Sequence, residues 1–392
     1  MKRLCSLILL LGCSHSDSFD NPDRSVGPFN TGNDLTLTLN PSQDYWPAWT
    51  QDGRGILYAY VDSFVNQQGR LHRCLGMLSP SGGTRIWQLC DNRAQRDDST
   101  NSYAGFAVDS SGRLLVAEAV SRANSPFSSL PQRTTLWLAD TAHPYARVSL
   151  ASFPQAIGGT NVQWLSGITW TGPNTFMALG QQFLLVPTCN FCFTRDSAFT
   201  VSDGVLIRGT ISGGSAALQA IPGTLGATGY SLAEGGGTIV LTMQHDVRLF
   251  RVPLAGGTIT PAYAGRDDTL SHQQGELVGV TCKGSTCIVS KAPIQLAGDY
   301  IVRDSHEPSG WGHQSSLGAF LPGVMELHSI SIASGADQIL RTDNQRVVFA
   351  APRLSPVNGD LVVQLGGGWG NLQTHLNGGP NGTLHLYKSV LP

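Results

Sequence analysis

Hydrophobic and polar positions alternate over short runs along this chain and do not settle into a helical stripe. The stretch "WPAWTQDGRGILYAY", Trp46 to Tyr60, reads as a strand, a polar turn and a second strand rich in aliphatic and aromatic residues. The same figure returns as "AGFAVDSSGRLLVAEA" (Ala104–Ala119), "SGITWTGPNTFMALG" (Ser166–Gly180) and "TGYSLAEGGGTIVLTM" (Thr228–Met243). A shorter version is "LVGVTCKGSTCIVS" (Leu277–Ser290), and the last is "AAPRLSPVNGDLVVQLG" (Ala350–Gly366). Further hairpin patterns stand between them, among them "TLWLADTAHPYARVSL" and "VRLFRVPLAGGTITPAY". Each unit thus offers about four strands, and the units recur at roughly 50–75 residues, a spacing long enough to hold inserted loops.

Repetition of one turn chemistry in six units argues against a sandwich. It predicts an all-β chain folded as a single six-bladed β-propeller of four-stranded antiparallel blades, with seven blades as the alternative. The ends of the chain predict how the ring closes. "NDLTLTLN" (Asn33–Asn40) alternates Leu and Thr with the period of a half-buried strand, and "GTLHLYKSVLP" at the other end is a strand with nothing after it to pair with. Leu35, Leu37 and Leu39 are therefore expected to complete the last blade beside Leu384, Leu386 and Tyr387, which removes an open edge.

Composition narrows the picture. The chain of 392 residues holds 46 Gly and 21 Pro, which punctuate it too often for long helices. Its net charge of −2, without a basic block, argues against a nucleic-acid partner. No apolar run is long enough to cross a bilayer as a helix.

The first residues, "MKRLCSLILLLGCSHS", read as an address. Lys2 and Arg3 precede a short apolar stretch from Leu4 to Leu11, followed by Gly12 and Cys13. This pattern resembles the lipobox of bacterial lipoprotein signal peptides. The resemblance implies cleavage after Gly12, so that residues 1–12 are the signal peptide, and acylation of the Cys13 thiol, which anchors the protein in a membrane of the cell envelope. Ser14 in the place of an Asp points to the outer membrane. Residues 13–34 are polar and rich in Pro, Gly and Asn, a composition that makes a flexible tether before a propeller over residues 35–392.

Cysteine usage agrees with export. Of eight cysteines, Cys5 leaves with the signal and Cys13 takes the lipid, which leaves three sequence-local pairs. Cys282 and Cys287 flank the turn "KGST", and Cys74 and Cys90 stand on either side of "SPSGG", so both pairs are expected to face each other across hairpins as disulfides. Cys189 and Cys192 form a lone CxxC. Without a second pair for zinc or a thioredoxin-like setting, a small loop disulfide is the expectation there.

The turns "PAWTQDGRGILYAY" and "PRLSPVNGDLVVQ" are similar to the TolB-like blade motif: Pro, any residue, Trp, Ser or Thr, any residue, Asp-Gly, then an apolar strand. The first supplies Pro47, Trp49, Thr50, Asp52 and Gly53; the last keeps Pro352, Ser355 and Gly359, with Leu354 for the Trp and an extra turn residue. The resemblance implies a WD40-like ring in the envelope with protein partners, and it places Trp49 in a seam between blades.

Catalytic signatures are thin, and no catalytic residue is assigned. "GYSLA" (Gly229–Ala233) lacks the second Gly and the following helix of a nucleophile elbow. There is no P-loop, no HExxH and no calcium loop. Two polar segments stand out. "GDYIVRDSHEPSGWGHQ" (Gly298–Gln314) brings Asp304, His306, Glu307 and His313 together, residue types that bind a divalent metal or relay protons. "LGGGWGNLQTHLNGGPNG" (Leu365–Gly382) holds Trp369, Asn371, His375 and Asn377 among glycines, which suits a ligand such as a sugar. No cofactor is expected beyond that metal. The leading expectation is a lipid-anchored binding or scaffold module for an envelope protein or glycan. The alternative is an envelope hydrolase or lyase with its site at the channel mouth or in the 298–314 segment.

Overall fold

The computed structural model describes residues 34–38, 44–65, 70–90, 99–122, 133–187, 197–201, 204–243, 246–265, 273–295, 325–343, 348–366 and 382–391. A short strand, β1 (Asp34–Thr36), opens the chain. The first blade is β2 (Asp44–Trp49), β3 (Ile56–Val65), β4 (Arg70–Leu78) and β5 (Trp87–Cys90). The second is β6 (Ser99–Val108), β7 (Arg113–Arg122), β8 (Arg133–Asp140) and β9 (His143–Phe153). A hairpin of β10 (Gln155–Ile157) and β11 (Thr160–Val162) leads into the third blade, which begins with β12 (Trp164–Gly172) and β13 (Thr175–Gln181). A second inserted hairpin, β14 (Phe183–Pro187) and β15 (Ser197–Val201), precedes the blade's outer strands β16 (Val205–Ser212) and β17 (Ser215–Ala220). The fourth blade is β18 (Ala227–Ala233), β19 (Thr238–Met243), β20 (Leu249–Pro253) and β21 (Thr260–Tyr263). The fifth is β22 (Gln273–Lys283), β23 (Thr286–Gln295), β24 (Met325–Ser331) and β25 (Asp337–Asp343). The sixth begins with β26 (Val348–Leu354), β27 (Leu361–Gly366) and β28 (Gly382–Tyr387), and β1 supplies its fourth strand.

The chain is therefore a six-bladed all-β propeller with four-stranded antiparallel blades. Each of the six strand–turn–strand units supplies the first two strands of one blade. β1 pairs antiparallel with β28, Leu35 opposite Leu386, and Leu37 N–H donates to the Leu384 carbonyl at 2.8 Å. The two ends of the chain thus close the ring as their patterns predict; Leu39 lies outside the described residues.

One irregularity repeats in every blade. The pairing of the first strand with the second slips between Tyr45 and Ala48, Tyr103 and Gly105, Ser166 and Thr169, Ala227 and Gly229, Val278 and Val280, and Ala350 and Arg353, with a second slip in blade 3 between Trp170 and Gly172. These bulges bend the innermost strands where neighbouring blades crowd together. A Cβ added to Gly279, whose φ is +68°, would come within 3.1 Å of Pro352 Cδ in the next bulge. Pro47 and Pro352 fit here because a bulge residue need not donate to the ladder.

Side chains alternate between the two faces of each blade, so each seam draws residues from two neighbours. Leu57, Leu75, Phe106 and Val116 fill the seam between blades 1 and 2. Leu115, Leu136, Ile168 and Ile207 fill the next, and Met177, Leu206, Ile239 and Val252 the one after. Val240, Leu277, Val289 and Ile330 join blades 4 and 5, while Ile56, Tyr58, Leu384 and Leu386 join blades 6 and 1. Between blades 5 and 6 the fully buried Arg341 guanidinium lies 4.9 Å from the centre of the buried Tyr387 ring.

Candidate functional site

Antiparallel strands alternate in direction, so the connections of each blade divide between the two faces of the ring. Connections from first to second strand and from third to fourth share one face. Those from second to third strand, and from one blade to the next, share the other. On the first face no connection is longer than 79–86, and all six first turns are tight. The strands that flank 123–132, 296–324 and 367–381 end at the second face, where both inserted hairpins also begin and end.

The turn face is built by local hydrogen bonding. Thr50 Oγ1 accepts from Gly55 N–H (2.9 Å) and donates to Asp52 Oδ1 (2.6 Å), while Gly53, with φ +70°, returns its N–H to the Thr50 carbonyl. Burial opposes ionisation of Asp52, but the hydrogen bonds it accepts from Thr50 Oγ1 and Arg54 N–H, with the Arg54 charge beside it, hold its carboxyl below its ordinary pKa. Asp109 plays the starting role in blade 2, accepting from the N–H groups of Ser111 and Arg113, both at 2.9 Å. Ser355 does so in blade 6, accepting from Val357 and Asn358 N–H, both at 3.3 Å. Neighbouring turns bond to each other: Gln51 N–H to the Val108 carbonyl (3.0 Å), and Glu234 N–H to the Gly284 carbonyl (2.9 Å). This face is thereby stitched into a rim with its polar groups largely satisfied.

The connection face is different. Asp304, His306, Glu307 and His313 fall in the connection between β23 and β24, and Trp369, Asn371, His375 and Asn377 in that between β27 and β28. Both sets lie outside the described residues, as do Cys13, Cys189 and Cys192. The strand ends that bracket the two segments nevertheless open onto the same face. In sequence, Cys189 and Cys192 fall between β14 and β15 of the inserted hairpin of blade 3. Among the described residues no group of three or more His, Cys, Asp or Glu is arranged to hold a metal ion. No helix of the described residues is long and apolar enough to cross a membrane.

The described residues add features that sequence patterns did not single out. Trp46 sits in the first bulge at φ +55°, its N–H donating to the buried Gln364 Oε1 at 3.1 Å. Its ring meets that of Trp164 edge to face, centroids 6.4 Å apart, over Ala119. Trp164 opens β12 and Ala119 lies near the end of β7, so this contact between blades 1 and 3 belongs to the connection half of the ring. Farther round, Tyr230 of blade 4 donates its hydroxyl to the Gly167 carbonyl of blade 3 at 2.6 Å, and burial raises its phenol pKa. The only sequence signal for Trp46 was an aromatic beside Pro47 at the start of the best-preserved unit.

Two charged clusters are buried in seams. In blade 2, Glu118 accepts from Asn101 Nδ2 (3.4 Å) and Arg147 Nη1 (3.2 Å). In blade 5, His328 is held between Asp337 Oδ1 (2.7 Å, on Nδ1) and Glu326 Oε2 (2.8 Å, on Nε2), and Tyr263 of blade 4 donates to Asp337 Oδ2 (2.5 Å). With both ring nitrogens occupied, His328 has none left to take a proton from a substrate, and the cluster works as a seam clasp. The two disulfides among the described residues are cross-strand as well. Cys74 and Cys90 are directly opposite on β4 and β5 with Cα atoms 4.5 Å apart, and Cys282 and Cys287 face each other across the β22–β23 turn at 4.0 Å.

Comparison with protein-family models finds no match, and comparison with curated proteins finds none. Solved structures do share the architecture. The RRP9 WD40 repeats are 12% identical, with a TM-score of 0.47, over 93% of this chain and 99% of that one. A luciferin-regenerating enzyme is 9% identical, with a TM-score of 0.47, over 91% and 95%. TolB from Acinetobacter baumannii is 9% identical, with a TM-score of 0.44, over 89% of this chain and 65% of that one. The likeness is one of fold, and it spans proteins of unlike name, so it assigns no activity.

Proposed function

We propose that this chain is a lipid-anchored β-propeller of the bacterial cell envelope that binds a protein or glycan partner through its connection face. The observation that carries the reading is the unequal use of the two faces. One is a rim of tight, mutually bonded turns, while the long connections, which hold the residue types suited to recognition, all leave from the other. Binding residues gather on loops set by a rigid scaffold, and a propeller is such a scaffold. The lipobox-like start, with Cys13 as the acylated residue, supports the anchor and an outer-membrane address. The cross-strand disulfides support an oxidising compartment.

The test uses two exposed apolar positions, Leu225 on the connection face and Val357 on the turn face, 59% and 64% exposed. A photo-crosslinking residue at each, in living cells, is expected to join a partner from position 225 and none from position 357. Adducts from 357 alone overturn the assignment of the face. Feeding an alkynyl fatty acid in parallel is expected to label the wild type and leave Cys13→Ser unlabelled; equal labelling overturns the anchor.

A further inference from the structure

We infer that the turn-face half of the central channel holds a binding site for a small carboxylate, with Arg353 as its anchor. The inference uses no residue of the proposed partner face and is independent of that reading.

Arg353 lies on β26, the innermost strand of blade 6, just before the Ser355 turn. Its backbone is held from both sides. Trp49 of blade 1 donates its indole N–H to the Arg353 carbonyl, and the following N–H, of Leu354, goes to Thr281 Oγ1 of blade 5, both at 2.9 Å. The half-buried side chain therefore starts from a fixed point on the channel wall. Such pre-organisation lowers the entropic cost of binding.

The guanidinium lacks the partner its counterparts have. Arg113 pairs with Asp109, Arg147 with Glu118 and Arg248 with Asp246. Arg353 Nη1 donates to the Pro352 carbonyl at 2.9 Å, and among the described residues no carboxylate pairs with it. Burial lowers its pKa, and the charge that acts against this belongs to the Tyr230 phenol of blade 4. Blades 4 and 6 are not neighbours, so the two side chains approach each other across the channel and not through a seam. Burial raises the Tyr230 pKa and keeps the phenol neutral, which leaves the positive charge unbalanced. A charge withdrawn from bulk water is costly until a counter-charge joins it.

The surroundings choose the anion. A guanidinium presents five donors in a planar fork that matches the two oxygens of a carboxylate. Tyr230 gives its proton to the Gly167 carbonyl at 2.6 Å, so it turns lone pairs to the site and offers nothing to a second negative charge. One cation and no further donor from Tyr230 suit a monoanion better than a phosphate dianion. Tyr230 also reaches from blade 4 to blade 3, which narrows the channel beside Arg353 and limits the ligand to a short body.

The experiment titrates the full chain, carrying ¹⁵N in its Arg and Trp side chains, with acetate, with acetamide and with inorganic phosphate. Acetate is expected to shift the Arg353 Nε–H signal saturably, and the Trp49 indole signal with the same midpoint. Acetamide, of the same shape without the charge, is expected to bind about tenfold more weakly, and phosphate no more tightly than acetate. Arg353→Gln identifies the Arg353 signal by its loss and is expected to abolish the acetate response at Trp49. The wild-type comparison of acetate with acetamide at Trp49 needs no variant and decides the question even if Arg353→Gln does not fold. Equal binding of acetate and acetamide, tighter binding of phosphate, no saturable shift at Trp49, or an acetate midpoint unchanged in Arg353→Gln would each overturn the proposal.

Discussion

The indole N–H of Trp49 donates to the carbonyl of Arg353 at 2.9 Å, so the first blade bonds directly to the last. The ring packs against Ile56, Leu384 and their neighbours in the closing seam. Trp49 is thus a structural residue of that seam. Trp49→Phe keeps most of the packing and loses the hydrogen bond, and is expected to cost about 1 kcal/mol. Trp49→Ala removes both and is expected to cost about 2–4 kcal/mol, less than a fully buried Trp because this ring is half-buried. Urea unfolding measures both; equal costs would mean that packing contributes nothing beyond the bond.

Closure by β1 makes a separate prediction. Leu37 is 6% exposed, and Leu384 N–H donates to Thr38 Oγ1 at 2.9 Å while its carbonyl accepts from Leu37 N–H. Removing residues 33–40 uncovers Leu384 and Leu386 and leaves β28 as an open edge. The truncated chain is expected to melt well below the full chain and to aggregate with time, and Leu37→Ala alone to cost about 2–4 kcal/mol. An unchanged melting temperature on truncation would show that the last blade does not need its fourth strand.

The disulfides are expected to differ in worth. Loop entropy in the unfolded chain scales with the logarithm of loop length, so the Cys74–Cys90 bond, spanning 16 residues, is expected to contribute about 3 kcal/mol. The Cys282–Cys287 bond spans 5, and about 2 kcal/mol is expected from it. Paired Cys→Ser variants, unfolded under identical non-reducing conditions, give the two costs. A larger loss from the shorter loop would shift the explanation from chain entropy to native packing.

How far the fold was legible follows from the turns. Thr50-Gln51-Asp52-Gly53 and Ser355 to Gly359 carry recognisable side chains. In blade 2 Asp109 takes the same starting position with a carboxylate in place of a hydroxyl, so a motif built on Ser or Thr misses it while the strand–turn–strand pattern does not. The bulges escaped detection because their residues, Trp46, Ala104, Gly167, Thr228, Gly279 and Ala351, share a backbone task and no side-chain chemistry. The inserted hairpins β10–β11 and β14–β15 interrupt the period instead of repeating it. His328 was invisible for another reason. What makes it distinctive is Asp337 on the next strand, held in turn by Tyr263 of the neighbouring blade, and Tyr263 does not lie near it in sequence.

The His328 clasp sets a pH dependence with a definite sign. Burial alone would lower the imidazole pKa, but the Asp337 and Glu326 carboxylates on its two nitrogens outweigh that and raise it above the ordinary 6.5. Lys291 Nζ stands 4.0 Å from Glu326 and Tyr263 donates to Asp337, so the groups facing the ring from β21, β23, β24 and β25 are these four. A raised folded value means that the cationic form stabilises the fold. That contribution is complete below the unfolded pKa of about 6.5 and is lost as pH rises through the folded value. Glu326 acts in the other direction: its hydrogen bond from His328 leads its burial and lowers its pKa, so its contribution is present above the ordinary 4.5 and fades as pH falls through the lowered value. The urea midpoint of the wild type, measured from pH 5.5 to 9, is expected to fall on the alkaline side of this window relative to His328→Gln, which cannot titrate. The difference between the two proteins should change by at most about 1.4 kcal/mol per pH unit, the limit for one proton. A difference that stays flat, or grows with pH, would mean that His328 is held neutral and that its two carboxylates do not act as a charged clasp.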